Sequence, residues 1–226
     1  VVVDRPLQCT VEWVRQFYVE VLWRSGDRSG ACRAEWVDAG SRLRLGAEAC
    51  KPGEGVGERY VFEGWEVGGR WVGSPDFAID VSGPVRAVAN FRRQFRVVVE
   101  DPVGGTSFDK WVDEGGSVEL NPPKYVDAGV GSRWVFKGYG GGCSVGLNRV
   151  FGPLSCRAEW GREHRVVVVA ELEGRRDVCF ADWVAEGSTL SFSVDRCRPG
   201  EEGLGPLVRV VFREWRGFGQ SETVSF

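Results

Sequence analysis

The strongest constraint on the fold of this chain is one sequence pattern that occurs three times in its 226 residues. Its first part is QFYVEVLW from Gln16, QFRVVVED from Gln94 and EHRVVVVA from Glu163. Its second part is AEWVDAGSRLRL from Ala34, DKWVDEGGSVEL from Asp109 and ADWVAEGSTLSF from Ala181, and its third part is RYVFEGW from Arg59, RWVFKGY from Arg133 and RVVFREW from Arg209. The tryptophans of the second part are 111 − 36 = 75 and 183 − 111 = 72 residues apart, which predicts three tandem domains.

Each repeat is predicted to be a small antiparallel β domain, which makes the chain all-β. Short Val-rich runs alternate between apolar and polar residues, Gly, Pro and Asp separate them, and no 11-residue window keeps a helical period. The predicted strands of the first repeat are a (Phe17–Trp23), b (Cys32–Val37), c (Arg42–Ala47), d (Arg59–Trp65), e (Phe77–Val81) and f (Val85–Phe91). The predicted domains are 15–92, 93–161 and 162–226, after an N-terminal segment of residues 1–14.

Composition and charge argue against several partners. The chain has 29 basic and 32 acidic residues, and a net charge of −3 gives no bulk attraction to nucleic acid or to acidic membranes. Its longest apolar run, Val166–Ala170, is far shorter than the roughly 18 residues of a membrane helix. Of the 29 basic residues, 29 − 4 = 25 are Arg, a bias that fits a GC-rich or thermophilic source.

One repeat reads W-x-x-x-G-S, then R-Y-V-F-x-G-W, then V-x-G-P-x-x-A-x-A-x-F. This order of elements, the F-x-G-W and A-x-F signatures and the unit length resemble the internalin-type B-repeats of bacterial and archaeal surface proteins. The resemblance covers nearly the whole chain, and the second and third repeats depart from it at KGYGGG and FREW. It implies an extracellular, stalk-like or adhesive role without catalytic residues.

The two ends of the chain complete each other in the repeat pattern. The third repeat has strands a to e and no strand f after them, whereas the N-terminal VVVDRPLQCTVEW has the residue types and spacing of strand f. The matched pairs are Pro6 with Pro153, Leu7 with Leu154, Cys9 with Cys156, Val11 with Ala158 and Trp13 with Trp160. We therefore expect residues 1–14, including Val1 and Val3, to be a donor strand. The expected acceptor groove in the third repeat contains Val166, Val168, Phe212, Val224 and Phe226.

Three arrangements are compatible with this reading. The strand can be donated to another copy of the chain, it can close a ring within one copy, or the chain can be a piece cut from a longer array. Donation is favoured because strand f would run into strand a through EWVRQFYV at each subunit contact, as it does through NFRRQFRV and EWGREHRV at the covalent junctions. Such heterologous contacts give open filaments.

The predicted function is an extracellular structural subunit that polymerises head to tail into a pilus- or thread-like filament for adhesion or biofilm cohesion, without a cofactor. The chain begins VVVDRP without Met, so a secretion signal is expected to have been removed. The alternative is a monomeric or cut stalk or adhesin fragment that binds a cell-surface protein or a sugar, with Trp23 and Trp71 as candidates for exposed stacking.

Six of the seven cysteines are predicted to form disulfides, because their positions are gained and lost in pairs between repeats. The predicted bridges are Cys32–Cys50, Cys143–Cys156 and Cys179–Cys197. Such bridges are typical of oxidising compartments. Cys9 has no partner, since Gly219 stands where one would be, and we expect it to be a thiol buried inside the acceptor domain.

The sequence contains no recognisable active site, and an enzyme is the least supported reading. His164 is the only histidine, and no local constellation of Ser, Cys and carboxylate residues accompanies it, so it is expected to be a structural or surface residue. The glycine-rich KGYGGGC lacks the Lys-Ser/Thr of a phosphate loop. Arg59, Arg133 and Arg209 recur before strand d and are expected to be solvated or paired.

Overall fold

The computed structural model describes residues 6–199, 211–214 and 216, and the backbone of 223–225. These residues form strands and two short 3-10 turns, so the predicted all-β class is confirmed. The first strands are β1 (Gln16–Ser25), β2 (Arg28–Asp38), β3 (Arg42–Gly46), β4 (Glu58–Val67), β5 (Arg70–Val72), β6 (Asp76–Asp80), β7 (Val85–Glu100) and β8 (Phe108–Asp113). The others are β9 (Ser117–Leu120), β10 (Tyr125–Asp127), β11 (Ser132–Gly140), β12 (Gly146–Arg149), β13 (Leu154–Leu172), β14 (Arg175–Ala185), β15 (Ser191–Ser193) and β16 (Thr223–Ser225).

The chain divides into two compact units, whose limits differ from those of the sequence repeats. Unit 1 contains the residues up to Val98 together with Asp109–Val118 and Arg149–Leu154. Unit 2 contains Val99–Phe108, Glu119–Asn148 and the described residues from Ser155 onward. The second repeat, residues 93–161, therefore contributes to both units.

Strand f lies in the middle of the sheet in the first repeat. The first half of β7, which is strand f, runs parallel to β1, with Val19 opposite Val85 and Arg24 opposite Asn90. Its other edge pairs with β4 in the antiparallel direction. Strand β2 pairs with the outer edge of β1, and β5 forms a hairpin with β4. A repeat without strand f would thus lack a central strand.

The core of unit 1 forms where this sheet meets the two-stranded sheet of β3 and β6. Trp65 is fully buried in it, and its indole Nε1–H donates a hydrogen bond to the Pro75 carbonyl at 3.1 Å. Fully burying one such apolar side chain contributes about 1.5–3 kcal/mol. The other buried members of this core are Val19, Val21, Leu43, Leu45, Ala47, Cys50, Tyr60, Val81, Ala87, Ala89 and Phe91.

The glycine of the F-x-G-W signature marks a bulge in strand d. The ladder between β4 and β7 shifts register between Phe62 and Gly64. A Cβ atom built on Gly64 would lie 2.3 Å from the Trp71 ring, so only glycine lets this ring cover the strand. The second repeat has the same shift between Phe136 and Gly138.

Strands f and a of consecutive repeats are one continuous strand. Strand β7 is 16 residues long and β13 is 19, and each passes from one sequence repeat into the next without interruption. In β7 the buried apolar side chains stay on one face throughout, from Ala87 to Val99, and Asn90 is a buried polar residue on the other face. The predicted strand f ends at Phe91, because the polar residues of NFRRQFRV resemble a junction between two strands.

Unit 2 has a corresponding arrangement. Strand β11 pairs with the first half of β13 and with β10, and β14 pairs with the second half of β13. Trp160 packs edge-to-face on Phe136 and donates its indole N–H to Asp101 Oδ1 at 2.9 Å. The short strands β15 and β16 pair with each other, as β3 and β6 do.

The structure contains three disulfides, and they are the three pairs that the repeat alignment predicts. They are Cys32–Cys50, Cys143–Cys156 and Cys179–Cys197, with Cα–Cα distances of 5.2, 5.7 and 5.1 Å. Two of them close loops of the same sequence separation, 18 residues. Disulfides of this kind persist in oxidising environments.

Candidate interface for strand donation

The N-terminal segment carries apolar side chains that nothing in the described residues covers. Residues 6–15 belong to no strand. Trp13 is 90% exposed and Val11 is 72% exposed, and Pro6, Leu7 and Val14 are exposed as well. Val1 and Val3, which the sequence analysis also assigns to the donor strand, lie outside the described residues. Several apolar side chains close together in an exposed segment are typical of an interaction site.

The positions that match Val11 and Trp13 in the other two repeats are buried, apart from Trp160, which is half-buried. Val11 matches Ala89 of β7 and Ala158 of β13, and both alanines are buried. Trp13 matches Phe91 of β7, which is 4% exposed. The N-terminal segment therefore has the pattern of a central strand without the surroundings of one.

The predicted acceptor strand is less buried than its counterparts. Strand a contributes two inward valines in each repeat: Val19 and Val21 in β1, Val97 and Val99 in β7, and Val166 and Val168 in β13. The first four are at most 3% exposed. The pair in β13 is only half-buried. The difference is in the direction expected for a strand that lacks a central neighbour.

The predicted acceptor strand pairs with strand b of its own repeat, as β1 does. In β1, residues Val19 to Arg24 pair with β2 on one edge and with β7 on the other. In β13, residues Val166 to Leu172 pair with β14. An open cleft of about 400 Å³ is lined by Val166 and Val167 of β13, by Val184 of the paired strand β14 and by Leu190.

The other predicted groove residues are only partly described. Phe212 is 38% exposed. For Val224 the structure describes only the backbone, which pairs with Phe192 in the β15–β16 ladder. Phe226 lies outside the described residues.

An arginine and a tryptophan stack wherever one described repeat follows another. The Arg59 guanidinium lies 4.5 Å from the centroid of the Trp111 ring, and its Nε–H donates to Gln94 Oε1 at 2.7 Å. Arg59 lies at the beginning of strand d of the first repeat, within β4, whereas Gln94 and Trp111 belong to strands a and b of the second. Stacking over an aromatic face adds to the hydrogen bond by the cation–π effect.

The second and third repeats make the same contact. Arg133 lies 4.4 Å from the centroid of the Trp183 ring and donates from Nε and Nη2 to Glu163 Oε2 at 2.9 and 2.8 Å. It also lies 4.0 Å from the centroid of Tyr125. Arg59 and Arg133, expected to be solvated or paired, are thus both paired and stacked. The sequence alone does not reveal the stack, since Arg133 and Trp183 are 183 − 133 = 50 residues apart.

A second arginine, Arg93, forms hydrogen bonds between strand d and the beginning of the next repeat. Arg93 donates to Glu58 Oε1 at 2.6 Å and to Glu114 Oε1 at 3.0 Å. The hydrogen bond from Arg93 lowers the pKa of Glu58, against the opposing effect of desolvation. The same bond raises the pKa of Arg93. These groups are mostly buried, so the ion pair is screened less than a surface pair.

Cys9 is a free and exposed thiol in the single chain. Its counterpart in β13, Cys156, is 1% exposed and bonded to Cys143. The predicted burial of Cys9 applies to an acceptor domain of another copy, so it stays a prediction.

His164 has two polar neighbours that are distant in sequence. Ser132 Oγ lies 2.9 Å from Nδ1, and Glu186 Oε1 lies 3.3 Å from Nε2. The two partners are 32 and 22 residues away, so the sequence gives no sign of this cluster. A serine, histidine and carboxylate in a row could form a hydrolytic triad if amide groups stabilised an oxyanion beside the serine.

The amides beside Ser132 are already used. The Ser132 N–H donates to the Gly129 carbonyl at 2.9 Å, and the Arg165 N–H donates to the Gly131 carbonyl at 2.8 Å. Glu186 is more than half exposed and also lies 3.7 Å from Arg162. The cluster therefore connects β11, β13 and the end of β14 as a surface hydrogen-bond chain.

The two tryptophans considered for sugar stacking differ in their surroundings. Trp23 is half-buried, with its ring centroid 6.4 Å from that of Tyr60. Trp71 is 58% exposed, with one side of its ring over Gly64. Trp71 thus keeps an accessible face and Trp23 does not present one of similar size.

Within the described part of the chain, no group of three or more His, Cys, Asp or Glu side chains could hold a metal ion. None of the described residues belongs to a helix with the length and hydropathy needed to cross a bilayer.

Comparisons with family models, with curated proteins and with solved structures found no match to this chain.

Proposed function

We propose that this chain is an extracellular structural subunit that polymerises head to tail, with residues 1–14 of one copy serving as strand f in the third repeat of the next. The polymer is a pilus- or thread-like filament for adhesion or biofilm cohesion. The observation that carries the proposal is the difference in burial between Val166 and Val168 and the four matching valines of the first two repeats.

The first repeat supplies the register of the donated strand. There Val85 lies opposite Val19 in a parallel ladder. In the repeat alignment, Leu7 matches Val85 and Val166 matches Val19. The donated segment therefore runs parallel to β13 with Leu7 opposite Val166. Cys9, Val11 and Trp13 then face inward, because side chains alternate along a strand.

Burial can supply the required association energy. Burying Leu7, Val11 and Trp13 contributes about 1.5–3 kcal/mol each, and each ladder hydrogen bond adds roughly 1 kcal/mol. Association costs roughly 4–15 kcal/mol, so the strand must be buried along most of its length. A strand with partners on both edges meets this condition.

The three-domain organisation is part of the proposal. Each domain is one sequence repeat of strands a to f, and the fused f–a strands β7 and β13 join consecutive domains. In the filament, the donated strand f continues into β1 of its own chain, as β7 and β13 do at the covalent junctions. The resemblance to internalin-type B-repeats and the three disulfides support a location outside the cell.

The test compares full-length variants by sedimentation velocity over a range of concentrations. We expect the unchanged chain to form open-ended polymers and the variant Val11→Asp/Trp13→Asp to stay monomeric, because an unpaired carboxylate is costly to bury. A matched control is Val56→Asp, since Val56 is also an exposed valine and lies in a loop. This control should polymerise as the unchanged chain does.

A synthetic peptide of residues 1–14 provides an independent arm. Added in excess, it should occupy the acceptor and shorten the polymers of the unchanged chain. Polymerisation of Val11→Asp/Trp13→Asp at the unchanged level would contradict the proposal, as would an unchanged chain that is monomeric at every concentration and does not bind the peptide.

A further inference from the structure

Trp36 is the tryptophan of strand b in the first repeat, and it lacks the cover that its two counterparts have. Trp111 and Trp183 are half-buried, each under an arginine of the preceding repeat. Trp36 is 65% exposed, and Tyr18 lies against it edge-on with ring centroids 5.4 Å apart.

The polar groups around Trp36 repeat the arrangement at the first covalent junction. Gln94 Nε2 donates to Asp113 Oδ1 at 2.6 Å, while its Oε1 accepts from Arg59. Gln16 Nε2 donates to Asp38 Oδ1 at 2.8 Å in the same way. In the described residues no donor meets Gln16 Oε1. The amide is oriented by Asp38 with its acceptor available.

We infer that Trp36, Gln16 and Asp38 form a receiving surface for an arginine of a second copy of this chain. The arginine stacks on Trp36 and donates to Gln16 Oε1. The chemistry fits a guanidinium, which stacks its flat face on an aromatic ring and presents five N–H donors in a fixed arrangement.

The third copy of the repeat pattern identifies the arginine. Arg209 of RVVFREW matches Arg59 and Arg133 in sequence, and it lies outside the described residues. This inference rests on the proposed function, because head-to-tail donation brings the third repeat of one copy before the first repeat of the next. It adds a contact that the donor strand itself does not make.

The test is a double-mutant cycle on the full-length chain, with the subunit dissociation constant measured by sedimentation equilibrium. We expect Trp36→Leu and Arg209→Gln each to weaken association about 3- to 30-fold, the range of an arginine–tryptophan stack. The dissociation constant of the double variant should not exceed the larger of the two single-variant values, because both substitutions remove the same interaction. Trp36→Phe, which keeps an aromatic face, should recover part of the loss.

Matched controls are Trp71→Leu and Arg70→Gln, which alter an exposed tryptophan and an exposed arginine outside this surface. They should leave the dissociation constant unchanged.

A separate readout is oxidation by N-bromosuccinimide with mass spectrometry. Trp36 should be oxidised rapidly in the monomeric Val11→Asp/Trp13→Asp variant and protected in polymers.

The outcomes separate this inference from the proposed function. If the unchanged chain does not polymerise, the proposed function fails and this contact fails with it. If the unchanged chain polymerises but Trp36→Leu and Arg209→Gln behave as their controls, or their effects add fully, only this contact is wrong.

Discussion

The Arg93 guanidinium donates its Nε–H to Glu58 Oε1 at 2.6 Å, which links the beginning of strand d in one repeat to the f–a strand that enters the next. The pair is largely buried, with side-chain exposures of 12% for Arg93 and 15% for Glu58. Arg93 also reaches Glu114, so one cation serves two carboxylates. Removing one member would leave the other charge poorly compensated.

The first prediction concerns pH. Since the hydrogen bond from Arg93 lowers the pKa of Glu58 in the folded chain, this carboxylate stabilises the fold above its unfolded pKa. That stability is lost as the pH falls through the lowered folded pKa. Glu58→Gln should reduce the free energy of unfolding by about 1–3 kcal/mol at pH 7, and by less as the pH falls below the usual glutamate pKa and through the lowered pKa of the folded chain. Urea unfolding at pH 7 and at a series of acidic pH values measures the difference.

The control for that measurement is Glu63→Gln, because Glu63 is an exposed carboxylate 3.8 Å from Arg92. It should change the free energy of unfolding by no more than about 1 kcal/mol at any pH. An equal change in the free energy of unfolding for both variants would show that the Glu58–Arg93 pair contributes no more to stability than an exposed ion pair does.

The second prediction concerns the Cys143–Cys156 disulfide. Cys156 is buried in β13, and the bridge closes a loop of sequence separation 13. Cys143→Ser/Cys156→Ser should lower the free energy of unfolding by about 2–4 kcal/mol, as the loss of a native disulfide of this loop length does. Cys9→Ser serves as the control, since Cys9 is free and exposed. Urea unfolding at monomeric concentration should show no change for it.

The third prediction compares two matching valines. Val19→Ala should destabilise the monomeric chain by about 2 kcal/mol, because it removes two fully buried methyl groups. Val166→Ala should cost less than about 1 kcal/mol in the monomer, because Val166 is only half-buried. In polymers the cost of Val166→Ala should rise toward that of Val19→Ala. Hydrogen exchange of β1 and β13 in both states reports the two effects, and equal costs in the monomer would contradict the open groove.

The fourth prediction uses the Cys9 thiol as a probe. In the single chain it is exposed, so a maleimide should modify it quickly. In polymers it should react at least about tenfold more slowly, because it then takes the place of the buried Cys156 in a central strand. Chains modified beforehand with a bulky maleimide should add poorly to polymers. Equal reaction rates in both states would mean that the donated segment is not buried at Cys9.

The fifth prediction concerns Ser132. Because the amides beside it are engaged with carbonyl groups, we expect no covalent labelling by a fluorophosphonate. Mass spectrometry of the treated chain decides this, with Ser132→Ala as the negative control. Labelling of Ser132 that disappears in this variant would identify an enzyme.

Alternation of apolar and polar residues was enough to place all six strands of the first repeat, from Phe17 to Phe91. It missed β5, because the three residues Arg70–Val72 are too few to show a period. It also could not give the parallel pairing of β1 with β7, since alternation identifies the buried face of a strand and not its neighbours.

Some parts of the candidate interface can be predicted from the sequence, and others cannot. The proposed donor positions follow from matching Trp13 with Trp160, because a shared spacing needs no knowledge of contacts. The stacking of Arg59 on Trp111 was not predictable, since it joins residues 111 − 59 = 52 positions apart on different strands. The position of Ser132 beside His164 depends in the same way on the β11–β13 register.

The parallel pairing of β1 and β7 has a mechanical consequence. Tension applied at Gln16 and at Glu100 pulls two neighbouring parallel strands in opposite directions along their length. The ladder bonds between Val19–Arg24 and Val85–Asn90 then carry the load in shear and must break together, whereas a hairpin pulled from its open end would peel bond by bond. Resistance to pulling is set by the rate of unfolding rather than by equilibrium stability. A repeat with this geometry is suited to bear tension along its chain.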